Sequence, residues 1–209
     1  MNDELIIGDF RESVVGDYKE ISADIDSDRV FFRAPLKYKI DSRGEPFLGI
    51  ALLEAMIRGV DIRIEDSLPL SERLYKRLPE LQAIYTCWNS DLRKVNIHAR
   101  IDPLKYAYER VGSFFSAGVD SSHTLYRNMT EITHLIMLSG FEIGGNTPES
   151  WQKSVAKQTL FAQTIGKELI PIETNAKEWT NHRKIQWRFA HGLILGSMGP
   201  LLKCRRIYI

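Results

Sequence analysis

One run of nine residues decides the fold expected of this chain: Phe114-Phe115-Ser116-Ala117-Gly118-Val119-Asp120-Ser121-Ser122. The apolar segment 111–115 leads into it and is typical of a strand buried on both faces of a sheet. Residues 120–128, which follow the small and polar centre of the run, favour a helix. Open α/β sheets bind ligands at loops of this kind, at the carboxyl ends of their strands. We therefore expect a ligand site at 116–122.

The composition of this loop suits an anionic ligand. Gly118 allows close approach of the backbone and unusual dihedral angles, and small side chains at 116 and 117 leave the amides unobstructed. The free N–H groups and the positive dipole end of the following helix stabilise an anion. Asp120 would repel a bare phosphate, so we expect it to cap the helix or to hold Mg²⁺ beside a polyphosphate. Three hydroxyl groups add further donors: Ser116, Ser121 and Ser122.

The run resembles the SGGxDS signature of the PP-loop family of ATP pyrophosphatases, which includes asparagine, GMP and NAD synthetases. The resemblance implies a doubly wound parallel sheet of the adenine nucleotide alpha hydrolase-like type. It also implies an enzyme that binds ATP and Mg²⁺, releases pyrophosphate and activates a carboxyl or carbonyl oxygen of an unidentified small-molecule acceptor as an adenylate. Asp120 would then serve catalysis and the metal. The nucleotide-binding residues would be Ser116, Ala117, Gly118, Val119, Asp120, Ser121 and Ser122.

One residue departs from the family signature. Ala117 stands where the family has its first glycine. Its methyl group opposes a left-handed backbone conformation, which costs an L-residue roughly 1–2 kcal/mol.

Periodicity and turn residues divide the chain near Asp102-Pro103, because a residue before proline disfavours the helical region. We predict a small α+β domain at 1–103 and a PP-loop domain at 104–209. In the first, strands are expected at 30–33, 60–65 and 95–101, and helices at 45–58 and 71–88, the second kinked or split at Pro79. In the second, strands are expected at 111–115, 134–138, 168–172 and 206–209, and helices at 120–128, 147–165 and 177–202. This alternation predicts a parallel sheet with helices on both faces.

The composition narrows the class of protein. Of 209 residues, 44% are hydrophobic and 26% charged, as in ordinary globular proteins. With 28 basic and 27 acidic residues the chain has no overall field to attract nucleic acid or an anionic membrane. No apolar run approaches the ~18 residues of a membrane span, and the acidic start does not resemble a secretory signal. We therefore expect a cytoplasmic protein that binds neither membrane nor nucleic acid.

Several other residues are candidates for the site. Glu142, after the second strand of the predicted PP-loop domain, could bond the ribose hydroxyls or be an ordinary loop carboxylate. The three later tryptophans (Trp151, Trp179, Trp187) are expected in the core rather than as stacking platforms. One or two members of a basic stretch near the end of the chain are expected to reach the site, and the others to be solvated. That stretch comprises Lys177, Arg183, Lys184, Arg188, Lys203, Arg205 and Arg206.

Two alternatives to an active enzyme remain open. The first is a non-catalytic nucleotide-binding module or a remnant of such an enzyme, and the second, more distant, is a universal-stress-type ATP binder. A homo-oligomer is compatible with the sequence. Only four strands are predicted after residue 104, whereas PP-loop domains commonly have about five. We therefore expect an incomplete enzyme with weak ATP binding and poor solubility.

Overall fold

A large mixed sheet forms the centre of the protein, in a computed structural model that describes residues 4–103, 108–140 and 147–209. The strands are β1 (Glu4–Val15), β2 (Tyr18–Ile25), β3 (Asp28–Pro35), β4 (Asp61–Ile64), β5 (Leu70–Ser71), β6 (Ile97–His98), β7 (Ile101–Asp102), β8 (Arg110–Phe114), β9 (His134–Leu138), β10 (Glu168–Thr174) and β11 (Cys204–Tyr208). Nine of them form the central sheet in the order β11-β8-β9-β10-β3-β2-β1-β4-β6, and β5 pairs with β7.

Helices flank this sheet and begin and end largely where the sequence predicts. They are α1 (Glu45–Arg58), α2 (Glu72–Trp88), α3 (Val119–Arg127), α4 (Pro148–Thr164), α5 (Ala176–His182) and α6 (Trp187–Leu201). Thr147 caps α4 by accepting a hydrogen bond from the Ser150 amide at 3.2 Å, and Gly59 ends α1 in the left-handed region. Pro79 does not split α2. The single helix predicted at 177–202 is instead two helices, α5 and α6.

The sheet is mostly parallel, which confirms the α/β class. β11, β8, β9 and β10 run parallel to one another, as do β1, β4 and β6. Antiparallel pairing joins β10 to β3, β3 to β2 and β2 to β1. Neither β1 nor β2 is predicted from the sequence. In β1 an irregularity between Gly8 and Arg11, with Asp9 at φ +47°, interrupts the alternation of side chains by which a strand is recognised.

The two faces of the sheet are covered differently. One hydrophobic core lies between the sheet and helices α1, α2, α5 and α6. To this core β8 and β11 contribute only partly buried residues, Phe114, Cys204 and Ile207. The second core joins β8, β9 and β10 to α3 and α4, with Tyr208 of β11 packed against it. In β3, Val30, Phe32 and Ala34 are fully buried on the first side, whereas Phe31 and Arg33 on the second side stay partly exposed. The second face is therefore open over the antiparallel strands.

The sheet runs without interruption across the boundary predicted at Asp102-Pro103. Glu173 of β10 pairs with Arg33 of β3, and α6 packs against α1, where the Gly49 position closely faces Ser197. The division into domains 1–103 and 104–209 stays a prediction. Among the described residues, no helix is both long and apolar enough to cross a membrane.

Candidate functional site

The loop after β8 lies at the point where the chain reverses the direction in which it adds strands to the sheet. From β8 the chain passes through α3 to β9 and through α4 to β10, moving one way along the sheet. It then returns through α5 and α6 to β11, which pairs with the other side of β8. Loops from neighbouring strands diverge at such a switch point and leave a crevice at the carboxyl edge of the sheet.

Serine hydroxyl groups hold this loop in shape. The Ser121 hydroxyl donates to the Gly118 carbonyl at 3.1 Å and accepts from the Ser116 amide at 3.3 Å. The Ser116 hydroxyl lies 3.3 Å from the Ser121 hydroxyl and accepts from the Gly118 amide at 3.4 Å. These bonds connect the end of β8 to the first turn of α3. The loop is therefore an ordered turn, and the hydroxyl groups of Ser116 and Ser121 form hydrogen bonds within it.

The left-handed position in the loop is occupied by Ala117 and not by a glycine. Ala117 has φ +60°, whereas Gly118 has the extended values φ −79° and ψ 172°. The sequence predicts unusual dihedral angles at Gly118, and this prediction is wrong. A Cβ atom at Gly118 would lie 3.3 Å from the Ser116 hydroxyl oxygen, so the absence of a side chain at Gly118 leaves room for Ser116, and its φ angle does not require glycine.

The first turn of α3 presents accessible donors next to the loop. Val119 and Asp120 belong to this turn, whose amides have no partner within a helix. Val119 is 86% exposed, and Asp120 and Ser122 are exposed as well. Asp120 does not cap the helix, because Gly118 is the capping residue and no side chain bonds there. Within the described residues, no group of three His, Cys, Asp or Glu side chains could hold a metal by itself.

A cleft of about 990 Å³ opens at the step where α4 leaves the second face of the sheet uncovered. The side chains of Tyr18, Phe31 and Arg33 form one wall on β2 and β3. Trp151 and its neighbours on α4 form the opposite wall, and residues at the ends of β9 and β10 and on α5 close the third side. No residue of 116–122 lines this cleft.

An ion-pair network holds the wall of the cleft that Phe31 and Arg33 form. The Arg33 guanidinium lies 2.6 Å from Glu20 and 3.3 Å from Glu173. It also stacks over the ring of Phe31, 5.4 Å from the ring centroid. Trp151 donates its indole N–H to Glu173 at 3.3 Å. The network therefore immobilises an aromatic surface and leaves the Arg33 charge compensated by two carboxylates.

The basic stretch contributes one residue to the cleft, Lys177. Arg183 forms ion pairs with Asp28 and Glu54 instead. Lys203 pairs with Asp41, and Arg205 and Arg206 with Glu131. The sequence could not distinguish Lys177 from the others in this group, because the distinction depends on how α5 packs against β3.

The tryptophans and cysteines divide between core and surface. Trp179 is buried in the core as expected, whereas Trp151 packs partly on the second core and also lines the cleft. Burial raises the pKa of the Cys204 thiol to about 12, which suppresses its nucleophilic thiolate form. Cys87 is exposed.

No protein-family model, no curated protein and no solved structure matches this chain. The PP-loop resemblance therefore depends on the residues of the loop at 116–122. Glu142, the candidate for ribose, lies outside the described residues. The cleft was not predicted from the sequence, because its walls come from segments far apart in the chain: Arg33 and Glu173 are 140 residues apart.

Proposed function

We propose that the protein binds ATP with its phosphates at Ser116–Ser122 and belongs to the adenylating, pyrophosphate-releasing PP-loop class. The observation that carries this proposal is the position of β8 between β9 and β11. This order leaves the loop after β8 at the switch point, where doubly wound sheets bind their ligands. The exposed amides of the first turn of α3 support the proposal, because such amides and the helix dipole stabilise phosphate.

Mg²⁺ fits the residues present as a partner of the nucleotide. Mg²⁺ is commonly bound by one or two carboxylates together with substrate phosphates and water, without an all-protein cage. Asp120 supplies an exposed carboxylate beside the loop amides. It would hold the metal against the polyphosphate, and the metal would reduce the repulsion between phosphate and carboxylate.

Nucleotide binding is tested by calorimetry with ATP and Mg²⁺ on Gly118→Val. The added side chain begins 3.3 Å from the Ser116 hydroxyl and restricts the loop, so we expect binding to be abolished. Gly192→Val is the matched control, because a Cβ atom there meets nothing within 4 Å beyond its chain neighbours and the nearby backbone of α6, and it should bind as the original protein does. Unchanged affinity in folded Gly118→Val would show that the phosphates bind elsewhere.

The reaction class is tested separately with ATP labelled at the α or γ phosphate. We expect AMP and pyrophosphate, at a rate that Asp120→Asn reduces while stability is retained. Production of ADP and orthophosphate alone would exclude the PP-loop class. ATP binding without any cleavage would favour the alternative, a non-catalytic nucleotide-binding module.

A further inference from the structure

We propose that the cleft between α4 and the open face of β2 and β3 binds the acceptor, and that the acceptor is an aromatic carboxylic acid. Its ring would lie on the aromatic walls of the cleft, and its carboxylate would bind the Lys177 ammonium group. This assignment of a substrate class rests on the proposed adenylation, because that reaction requires a carboxyl or carbonyl oxygen. Binding in the cleft itself requires no ATP and is tested without it.

The size and position of the cleft suit a small-molecule acceptor. Its volume of about 990 Å³ lies within the range of roughly 300–1,000 Å³ found for ligand pockets. The cleft reaches the carboxyl edge of β9 and β10, where it is lined by Ser139, Thr174 and Lys177. β8, which carries the phosphate loop, is two strands from β10, or about 10 Å at the usual strand spacing. A group held at Lys177 therefore lies on the same edge as the proposed phosphate site.

The walls of the cleft favour a planar apolar group. Phe31 and Trp151 face it from opposite sides, and Tyr18 extends the first wall. Arg33 holds its guanidinium group over the Phe31 ring and is fixed by Glu20 and Glu173. Side chains that are already immobilised lose little conformational entropy when a ring packs against them. Aromatic pairs add roughly 0.5–1.5 kcal/mol to the burial of their surface.

Lys177 is the cation in the cleft that can bind a carboxylate. Arg33 is compensated by Glu20 and Glu173. Among the described residues no carboxylate forms an ion pair with Lys177, whose ammonium group lies 5.8 Å from the centroid of the Trp187 ring. Glu178 also lines the cleft and is exposed. Its charge opposes an anionic ligand, so removal of that charge should strengthen binding.

Three related compounds separate the two parts of the proposal. Calorimetry without ATP would compare indole-3-propionate with its primary amide and with propionate. We expect indole-3-propionate to bind, the uncharged amide to bind about tenfold more weakly because a charge-assisted hydrogen bond is lost, and propionate not to bind detectably. Equal affinity of acid and amide, or no binding of the acid at millimolar concentration, would overturn the proposal.

Variants then locate the binding of indole-3-propionate. Lys177→Gln should weaken it about tenfold, Lys177→Arg should retain it, and Glu178→Gln should strengthen it. Gln152→Trp should block the cleft from the exposed side of α4, with Lys153→Trp as its control, since Lys153 is exposed but does not line the cleft. Trp151 itself is not substituted, because it also packs on the second core and its loss would affect folding.

Gly118→Val distinguishes this proposal from the proposed function. It should leave the binding of indole-3-propionate unchanged, even if it abolishes the binding of ATP. The assignment of the cleft would be overturned if Gly118→Val abolished the binding of indole-3-propionate while Gln152→Trp and Lys177→Gln left that binding unchanged. Displacement of the compound by ATP in the original protein, together with loss of ATP binding in Gln152→Trp, would assign the cleft to the nucleotide and also overturn the proposal.

Discussion

Ala117 adopts φ +60° in the middle of the loop between β8 and α3. This conformation is strained for a residue with a Cβ atom and is one that glycine adopts readily. Four serine-mediated contacts around it hold the loop despite this strain. Strain of this kind persists when the surroundings over-determine the conformation, and it is often found in loops that bind ligands.

Ala117→Gly should increase the free energy of unfolding by about 0.5–1 kcal/mol, because relief of the strain exceeds the added entropy of the unfolded chain. Ala83→Gly is the control: Ala83 lies inside α2, where the same change should lower stability by about 1 kcal/mol. Urea unfolding of both variants gives the comparison. A loss of stability in Ala117→Gly equal to that in Ala83→Gly would contradict the strained assignment.

At the scale of elements, α1 and α6 form the main helix contact and join the two parts of the chain. Their closest approach is at Gly49, where a Cβ atom would lie 2.5 Å from the Ser197 hydroxyl oxygen and 3.0 Å from the Leu193 carbonyl oxygen. α1 is buried on nearly every side from Glu45 to Met56. The buried surface of α1 therefore extends well beyond a single apolar face.

Gly49→Ala should lower the free energy of unfolding by about 1–3 kcal/mol, because the added methyl group forces α1 and α6 apart. Gly196→Ala, on α6 with no atom within 4 Å of its Cβ position, should instead raise it by about 0.5–1 kcal/mol through the better helix propensity of alanine. Thermal and urea unfolding would measure both changes. Stabilisation by Gly49→Ala would show that the two helices are less closely packed.

At the scale of the whole molecule, the antiparallel pairing of β10 with β3 makes one sheet from two parts of the chain. Asn175 extends this junction: its side chain accepts from the Phe31 amide at 3.1 Å and donates to the Arg29 carbonyl at 2.9 Å. The first core includes residues from both sides of the predicted boundary. A shared sheet and core couple the unfolding of the two parts.

We therefore expect a single cooperative unfolding transition, with amides of β2 and β9 exchanging at the same free energy of opening. Asn175→Ala should lower that free energy in both strands by about 1–3 kcal/mol, since two backbone groups at the junction lose their partner. Native-state hydrogen exchange distinguishes the outcomes. Unequal opening of β2 and β9, with an effect of Asn175→Ala on one strand only, would favour two separate domains at 1–103 and 104–209.

Local chemistry made much of this protein predictable from its sequence. Thr147 and Pro148 begin α4 because a threonine cap and a first-turn proline satisfy a helix start in any fold. Gly59 ends α1 because glycine tolerates φ +68°. Segments 134–138 and 168–172 are recognisable as strands because central parallel strands are apolar on both faces. The loop at 116–122 was found in the same way, from residue types and spacing.

Tertiary structure alone decided which distant segments meet. The pairing of β3 with β10 brings Arg33 to Glu173 and leaves the sheet face beside α4 open. The same pairing places Lys177 at the cleft. Likewise, Ala117 is left-handed because the Ser116 and Ser121 contacts enforce a conformation that its own preference opposes. Propensity and periodicity act over a few neighbouring residues, whereas strand pairing and packing act between residues far apart in the chain. The turn at 116–122 between β8 and α3 could therefore be predicted from the sequence, and the cleft could not.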